Sequence, residues 1–227
     1  MGYSEILYES DSALLKQNYV INFNFRLVTM NEQKNWSPFE VTSAGSYTHE
    51  HKLLFIQSIT PHRIVEPEPT GSKNHVYGQV VAETNYGNIK NITDIWKWGE
   101  LRGGTPALFL EDSQFYLSFF HSSNDPPTTG DVLRTYVFGA YTFCSKPPYR
   151  ILSMSSIPIT HDSMFQGPWT NLPLSFYHID YVSFPMSFIV DGDIIYLTYG
   201  KQDEDGWIAK VSKMGLLGSL TAVNSHC

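Results

Sequence analysis

Two segments of the chain repeat one another: "TPALFLEDSQFYLSFFH", Thr105 to His121, and "FPMSFIVDGDIIYLTYG", Phe184 to Gly200. Each runs X-Pro, an apolar strand, an acidic turn, and a second strand ending Tyr-Leu-Ser/Thr-aromatic. Side chains of a strand point alternately to opposite faces, so alternating apolar runs bounded by Asp, Gly and Ser describe two β-hairpins. A looser third copy runs from "NWSPFEV", Asn35 to Val41, through "HKLLFIQSITPHR", His51 to Arg63. "RTYVFGAYTFC" (Arg134 to Cys144), "YRILSMSS" (Tyr149 to Ser156) and "GWIAKVS" (Gly206 to Ser212) read as further short strands. The sole helical candidate is the short "ESDSALLKQN", Glu9 to Asn18. With 14 Tyr, 14 Phe and 5 Trp in 227 residues, the composition favours strands, which aromatic residues prefer.

A hairpin cannot bury both its faces alone, and repetition at this scale is the mark of radial or stacked β architectures. The reading is an all-β, single-domain β-propeller of four-stranded antiparallel blades, with ring closure incomplete or irregular at this length. Residues 1–33 form a divergent segment, a partial first blade, and residues 34–227 the propeller domain. The spacing from Pro106 to Pro185 leaves room for one further blade, filled by the strands at 134–144 and 149–156. A β-sandwich with Greek-key links is the plainer alternative.

The formal charge of -7, from 15 Lys+Arg against 22 Asp+Glu with no basic run, argues against nucleic acid as a partner. No apolar run reaches the roughly 20 residues that span a bilayer, and "MGYSEILYES" lacks the pattern of a signal peptide, so a soluble, cytoplasmic protein without a membrane partner is expected. Cys144 and Cys227 have neither metal-ligand nor redox spacing, which fits a reducing compartment. His49 and His51 share a strand face without an evident third ligand, so no metal is expected.

In an antiparallel hairpin the first residue of the entering strand and the last of the leaving strand lie at the same end. Arg102 and His121 should therefore emerge together. The same rule sets Asn35 and Trp36 beside His62 and Arg63, and residues 180–184 beside Lys201, Gln202 and Asp203. If the copies are equivalent, all three sets share one rim. Arg102, Arg63, Lys201, His62 and His121 suit an anionic group such as phosphate, with Arg able to bind it bidentately. Asp203 suits sugar hydroxyls, and Trp36, Trp96, Trp98 or Tyr199 an apolar platform for a pyranose ring. Gly103 and Gly104 would let backbone approach a ligand closely. Burial is the plainer reading for Trp96 and Trp98.

At these residues the sequence resembles the family-130 glycoside hydrolases and phosphorylases, five-bladed β-propellers acting on β-mannosides. The resemblance rests on "EQKNWSPF", "LLFIQSITPHRIV", "WGELRGGTPAL", "FFHSS", "VFGAYTF", "PPYRILSMS", "VSFPMSFIVDGD" and "YGKQD", with "WIAKV" following, from about Lys34 onward. It implies that Arg102, Thr105, His121 and Asp203 line a sugar and phosphate site, with inorganic phosphate as a co-substrate and no other cofactor. The family's acid motif, close to Glu-Asp-Pro-Arg, is not found; in "YESDSALL" Glu9 and Asp11 are acidic candidates, but no Pro-Arg follows. The functional expectation is a glycosidase or phosphorylase-like propeller with a carbohydrate ligand. The alternative is a non-catalytic glycan-binding or protein-interaction propeller. Open sheet edges would favour a homo-oligomer.

Overall fold

The computed structural model describes residues 2–9, 12–22, 35–42, 51–69, 75–84, 92–124, 135–165, 181–203 and 205–227. The fold is all-β, built from antiparallel meanders. β1 (Gly2–Glu9) and β2 (Ser12–Asn22) form a hairpin. A first meander follows in β3 (Ser37–Thr42), β4 (His51–Ser58), β5 (His62–Pro69) and β6 (His75–Thr84), each antiparallel to the next. β2 runs parallel to β6, which makes one six-stranded sheet in the order β1-β2-β6-β5-β4-β3.

A short helix, α1 (Ile92–Ile95), leads into the second meander. Its first strand is broken at the Thr105-Pro106 step into β7 (Glu100–Gly103) and β8 (Leu108–Leu110), both paired with β9 (Phe115–Asn124). β10 (Thr135–Cys144) and β11 (Ile151–Met154) complete it. The third meander is β12 (Tyr181–Asp191), β13 (Ile194–Lys201) and β14 (Asp205–Ser212). After α2 (Lys213–Ser219), β15 (Thr221–Ala222) returns to pair with β11.

The second meander sits between the other two because its strands alternate. Tyr116 and Phe120 of β9, with Val137, Tyr141 and Phe143 of β10, enter one core with Phe39, Leu54, Ile56 and Ile64 of the first meander. Leu117, Phe119, Phe138 and Ala140 enter a second core with Phe188, Ile195, Leu197 and Tyr199 of the third. Full burial of each large apolar side chain contributes about 1.5–3 kcal/mol, so both contacts are strongly favoured.

Several expectations are corrected. The Glu9–Asn18 stretch closes β1 and continues in β2 rather than forming a helix. The strands at 134–144 and 149–156 are the third and fourth strands of the second meander, not a separate unit between two others. Cys144 and Cys227 form a disulfide, contrary to the reduced pair expected, across a separation of 83 residues. Sequence distance hid the pairing: Val223 and Asn224 N–H groups donate to the Leu152 carbonyl and bring the end of the chain back to β11. Among the described residues no helix is long and apolar enough to cross a membrane.

Candidate functional site

The three X-Pro steps converge. The Ala107 N–H donates to the Pro38 carbonyl at 2.9 Å, laying the first strand of the second meander beside that of the first. A Cβ on Gly103 would lie 2.0 Å from the Asn35 carbonyl oxygen, and one on Gly104 would lie 2.6 Å from the Phe119 carbonyl oxygen and 2.9 Å from Cγ of Pro185. The two glycines thus admit the neighbouring meanders rather than a ligand, which replaces the expectation drawn from sequence.

At this junction Arg102 is the direct cross-strand partner of His121. Such partners share a sheet face with Cβ atoms about 5 Å apart. The other strand ends follow from register: Thr135 at the start of β10 faces Asn124 at the end of β9, and pairs in parallel with Tyr181 at the start of β12. The start of β12, and with it the end of β13, therefore lies at the His121 end of the second meander. Lys201 is the partner of Ser183 there, and Asp203 stands exposed just beyond.

His121 is 2% exposed, with its ring 4.4 Å from that of Phe184 and 6.3 Å from that of Tyr136. Burial lowers its pKa to about 4, opposed by a hydrogen bond with the Gly103 backbone and reinforced by the Arg102 charge. The imidazole is neutral at pH 7. Its Nδ1, the Ser37 hydroxyl beside Gly103, and the Ser183 hydroxyl are buried without a hydrogen-bond partner. Buried polar atoms are normally satisfied, so three such atoms on strands that meet at this junction are a concentration of unused hydrogen-bonding capacity.

Arg102 is not free. Its Nε and Nη2 donate to Glu100 Oε2 at 3.2 and 2.8 Å. Sequence reasoning passed over Glu100, although alternation places residues two apart on one strand face. Thr105 is fully buried and structural: its hydroxyl accepts from the Phe119 N–H at 3.0 Å, and its carbonyl accepts from the Ser118 hydroxyl at 3.1 Å. Trp36 is buried against Phe55, and Tyr199 against Phe138, so neither ring offers an open platform. Lys201 holds its ammonium 4.6 Å from the ring centre of Trp207. Asp203 and Gln202 both adopt positive φ, and Gln202 fixes that turn by accepting from the Val182 N–H and donating to the Phe165 carbonyl.

His62 is placed elsewhere. It is fully buried in the first core, against the rings of Tyr141 and Phe143, and its Nδ1 donates to the Tyr149 carbonyl at 2.8 Å. Tyr149 follows Cys144, which pairs with Phe115 at the start of β9, so this contact lies at the end of the second meander opposite His121. Burial lowers the His62 pKa to about 4, only partly offset by that hydrogen bond. Arg63 binds Glu83 at 2.6 Å and Gln57 at 3.0 Å. The expectation that His62 and Arg63 join Arg102 on one rim is therefore corrected for His62, whose ring turns into the inter-meander core. Trp96 is likewise buried, donating to the Ser122 hydroxyl at 2.7 Å, whereas Trp98 is exposed, contrary to the burial expected of it.

Asp11 and the side chain of Glu9 lie outside the described residues. The Glu9 backbone belongs to β1, five strands from β3 in the sheet order. Among the described residues no group of three or more His, Cys, Asp or Glu is arranged to hold a metal.

No family model matches the chain, and no curated protein does. Among solved structures it is similar to a glycosyl hydrolase from Bacteroides ovatus, at 13% identity and TM-score 0.46 over 80% of this chain and 49% of that one. It is also similar to a structure from work on the GH130 family of mannoside phosphorylases, at 14% identity and TM-score 0.47 over 80% of this chain and 49% of that one. A third is the β-1,2-mannobiose phosphorylase from Listeria innocua, at 17% identity and TM-score 0.45 over 82% of this chain and 46% of that one. The chain spans about half the length of these proteins.

The site therefore offers a cation tied to a carboxylate, a neutral imidazole and two buried hydroxyls. The described carboxylates at this end include Glu100, already ion-paired with Arg102, and the exposed Asp203.

Proposed function

We propose that the chain is a carbohydrate-directed protein of propeller type, with its ligand held at the Arg102–His121 end of the second and third meanders. The observation that carries this reading is the cross-strand pairing of Arg102 with His121 where the three X-Pro steps meet. Sugars present many hydroxyls at fixed spacing, and the unpartnered groups of Ser37, His121 and Ser183 match that need. The sequence resemblance to β-mannoside-active propellers narrows the ligand to a β-mannoside, with phosphate competing for Arg102 against Glu100.

Calorimetric titration with β-1,2-mannobiose, with and without inorganic phosphate, tests this. A charge-assisted hydrogen bond contributes about 1.5–3 kcal/mol, so Arg102→Ala should weaken binding by about tenfold to a hundredfold. Arg63→Ala, on a residue ion-paired in the first meander, should leave it unchanged. Absence of binding, or equal losses in the two variants, refutes the reading.

A second reading, binding without turnover, is favoured by the ion pair that occupies Glu100. An inverting glycosidase or phosphorylase needs a carboxylic acid within reach of the departing oxygen. Release of mannose 1-phosphate with phosphate present, or of mannose without it, would establish an enzyme and exclude this second reading.

A further inference from the structure

The Arg102–His121 end carries charge that cancels itself. Glu100 and Arg102 stand two apart on β7, opposite Ser123 and His121 of β9, so all four side chains fall on one face of the sheet. Arg102 Nε and Nη2 both donate to Oε2 of Glu100, at 3.2 and 2.8 Å. Glu100 thus holds a forked edge of the guanidinium, the kind of edge with which Arg grips a phosphate or carboxylate. The Glu100 side chain is 73% exposed and that of Arg102 34%. An ion pair so open to water adds little to stability, and its effect falls instead on whatever approaches Arg102. The other cations that the described residues bring to this end are engaged elsewhere: Lys201 holds its ammonium over Trp207, and Lys97 pairs with Asp94 at 3.2 Å.

We propose that Glu100 is a specificity-determining residue, which reserves Arg102 for uncharged, hydroxyl-bearing ligands and turns away oxyanions such as inorganic phosphate. This rests on the proposed ligand site at the Arg102–His121 end and names the class of ligand that site takes. An oxyanion at Arg102 must either displace the carboxylate or sit against its negative charge, on a chain whose formal charge is already -7. A sugar hydroxyl meets no such opposition. It donates and accepts at once, so it can accept from the guanidinium and donate to the carboxylate while the ion pair stays intact. His121, on the same face, points the same way. Its buried, unpartnered Nδ1 belongs to a neutral imidazole, which can exchange a hydrogen bond with a hydroxyl but brings no positive charge to an anion.

Calorimetric titration of the full chain with inorganic phosphate alone, no sugar present, tests this. Glu100→Gln keeps the size of the side chain and removes its charge, and should lower the phosphate dissociation constant by at least about tenfold. The gain should vanish when Arg102→Ala is added to Glu100→Gln. Glu83→Gln makes the same change of net charge beside Arg63, in the first meander, and should leave phosphate affinity as in wild type. Far-UV circular dichroism should be the same throughout, since each replaced group is at the surface. A wild-type chain that binds phosphate as tightly as Glu100→Gln overturns the proposal. So does a gain that survives the loss of Arg102, an equal gain from Glu83→Gln, or no phosphate binding by any variant. Because these titrations contain no sugar, their failure is distinct from failure of the β-mannoside reading, which shows as absence of mannobiose binding.

Discussion

At the scale of single residues, the strongest constraint is the burial of two imidazoles in separate places. His62 is buried in the first core and His121 at the convergent junction, each with its pKa lowered from 6.5 to about 4, chiefly by desolvation. Each is harder to protonate folded than unfolded, so below about pH 6.5 the unfolded chain binds more protons. Stability should be full above pH 6.5 and fall as pH drops toward 4, by about 3 kcal/mol for each histidine. Urea titrations at pH 7 and pH 4.5 measure the loss, and His62→Phe should remove about half of it; an unchanged slope would refute the assignment for His62. The glycine pair gives a second prediction. A methyl group 2.0 Å from the Asn35 carbonyl oxygen meets backbone that cannot turn aside, so Gly103→Ala should cost at least about 3 kcal/mol in the same titrations. The Arg102–His121 pairing was legible in the sequence because the Glu111–Gln114 turn fixes which residues face each other. The inward turn of His62 was not, because alternation assigns a side chain to a face without saying what packs against that face.

At the scale of elements, the hairpins read correctly where apolar alternation was interrupted by turn residues. β8 to β9 and β12 to β13 fall where the repeats place them, Gly192 adopting φ +58° in the second turn. β5 was not foreseen, since Pro67 and Pro69 argue against a strand, nor was β6 beside it. α2 escaped because its helical signal is local: the Ser212 hydroxyl accepts from the Gly215 N–H, and Asp193, from another strand, accepts from the Met214 N–H. β15 is only two residues long and carries no pattern of its own; the Cys144–Cys227 bond and the Leu152 carbonyl hold it against β11. Closing a loop of this size restricts the unfolded chain by about 4.5 kcal/mol in the chain-entropy account, an upper figure that measured losses usually fall short of. Cys227→Ser should therefore lower unfolding stability by about 2–4 kcal/mol and speed amide exchange at Met154, the partner of Thr221. Wild-type stability that does not respond to a reductant would count against the bond.

At the scale of the whole molecule, the second meander is what makes three sheet units one folding body. Its two long strands give alternate side chains to two cores, Tyr116 and Phe120 to one, Leu117 and Phe119 to the other, so neither core can be lost without withdrawing support from the other. A stack whose units met through separate elements would instead unfold piecewise, as repeat arrays do. Ile64 and Leu197 lie fully buried in different cores, in the first and third meanders. Ile64→Ala removes packing worth about 2–5 kcal/mol in the first core. If the units are coupled as the alternation requires, native-state hydrogen exchange at Leu197 should accelerate by the same factor as at Ile56, at least about thirtyfold for a loss of 2 kcal/mol. Acceleration confined to the first meander would mean that the strands of β9 and β10 transmit no cooperativity, and that the junction at Arg102 and His121 is assembled from independently stable parts.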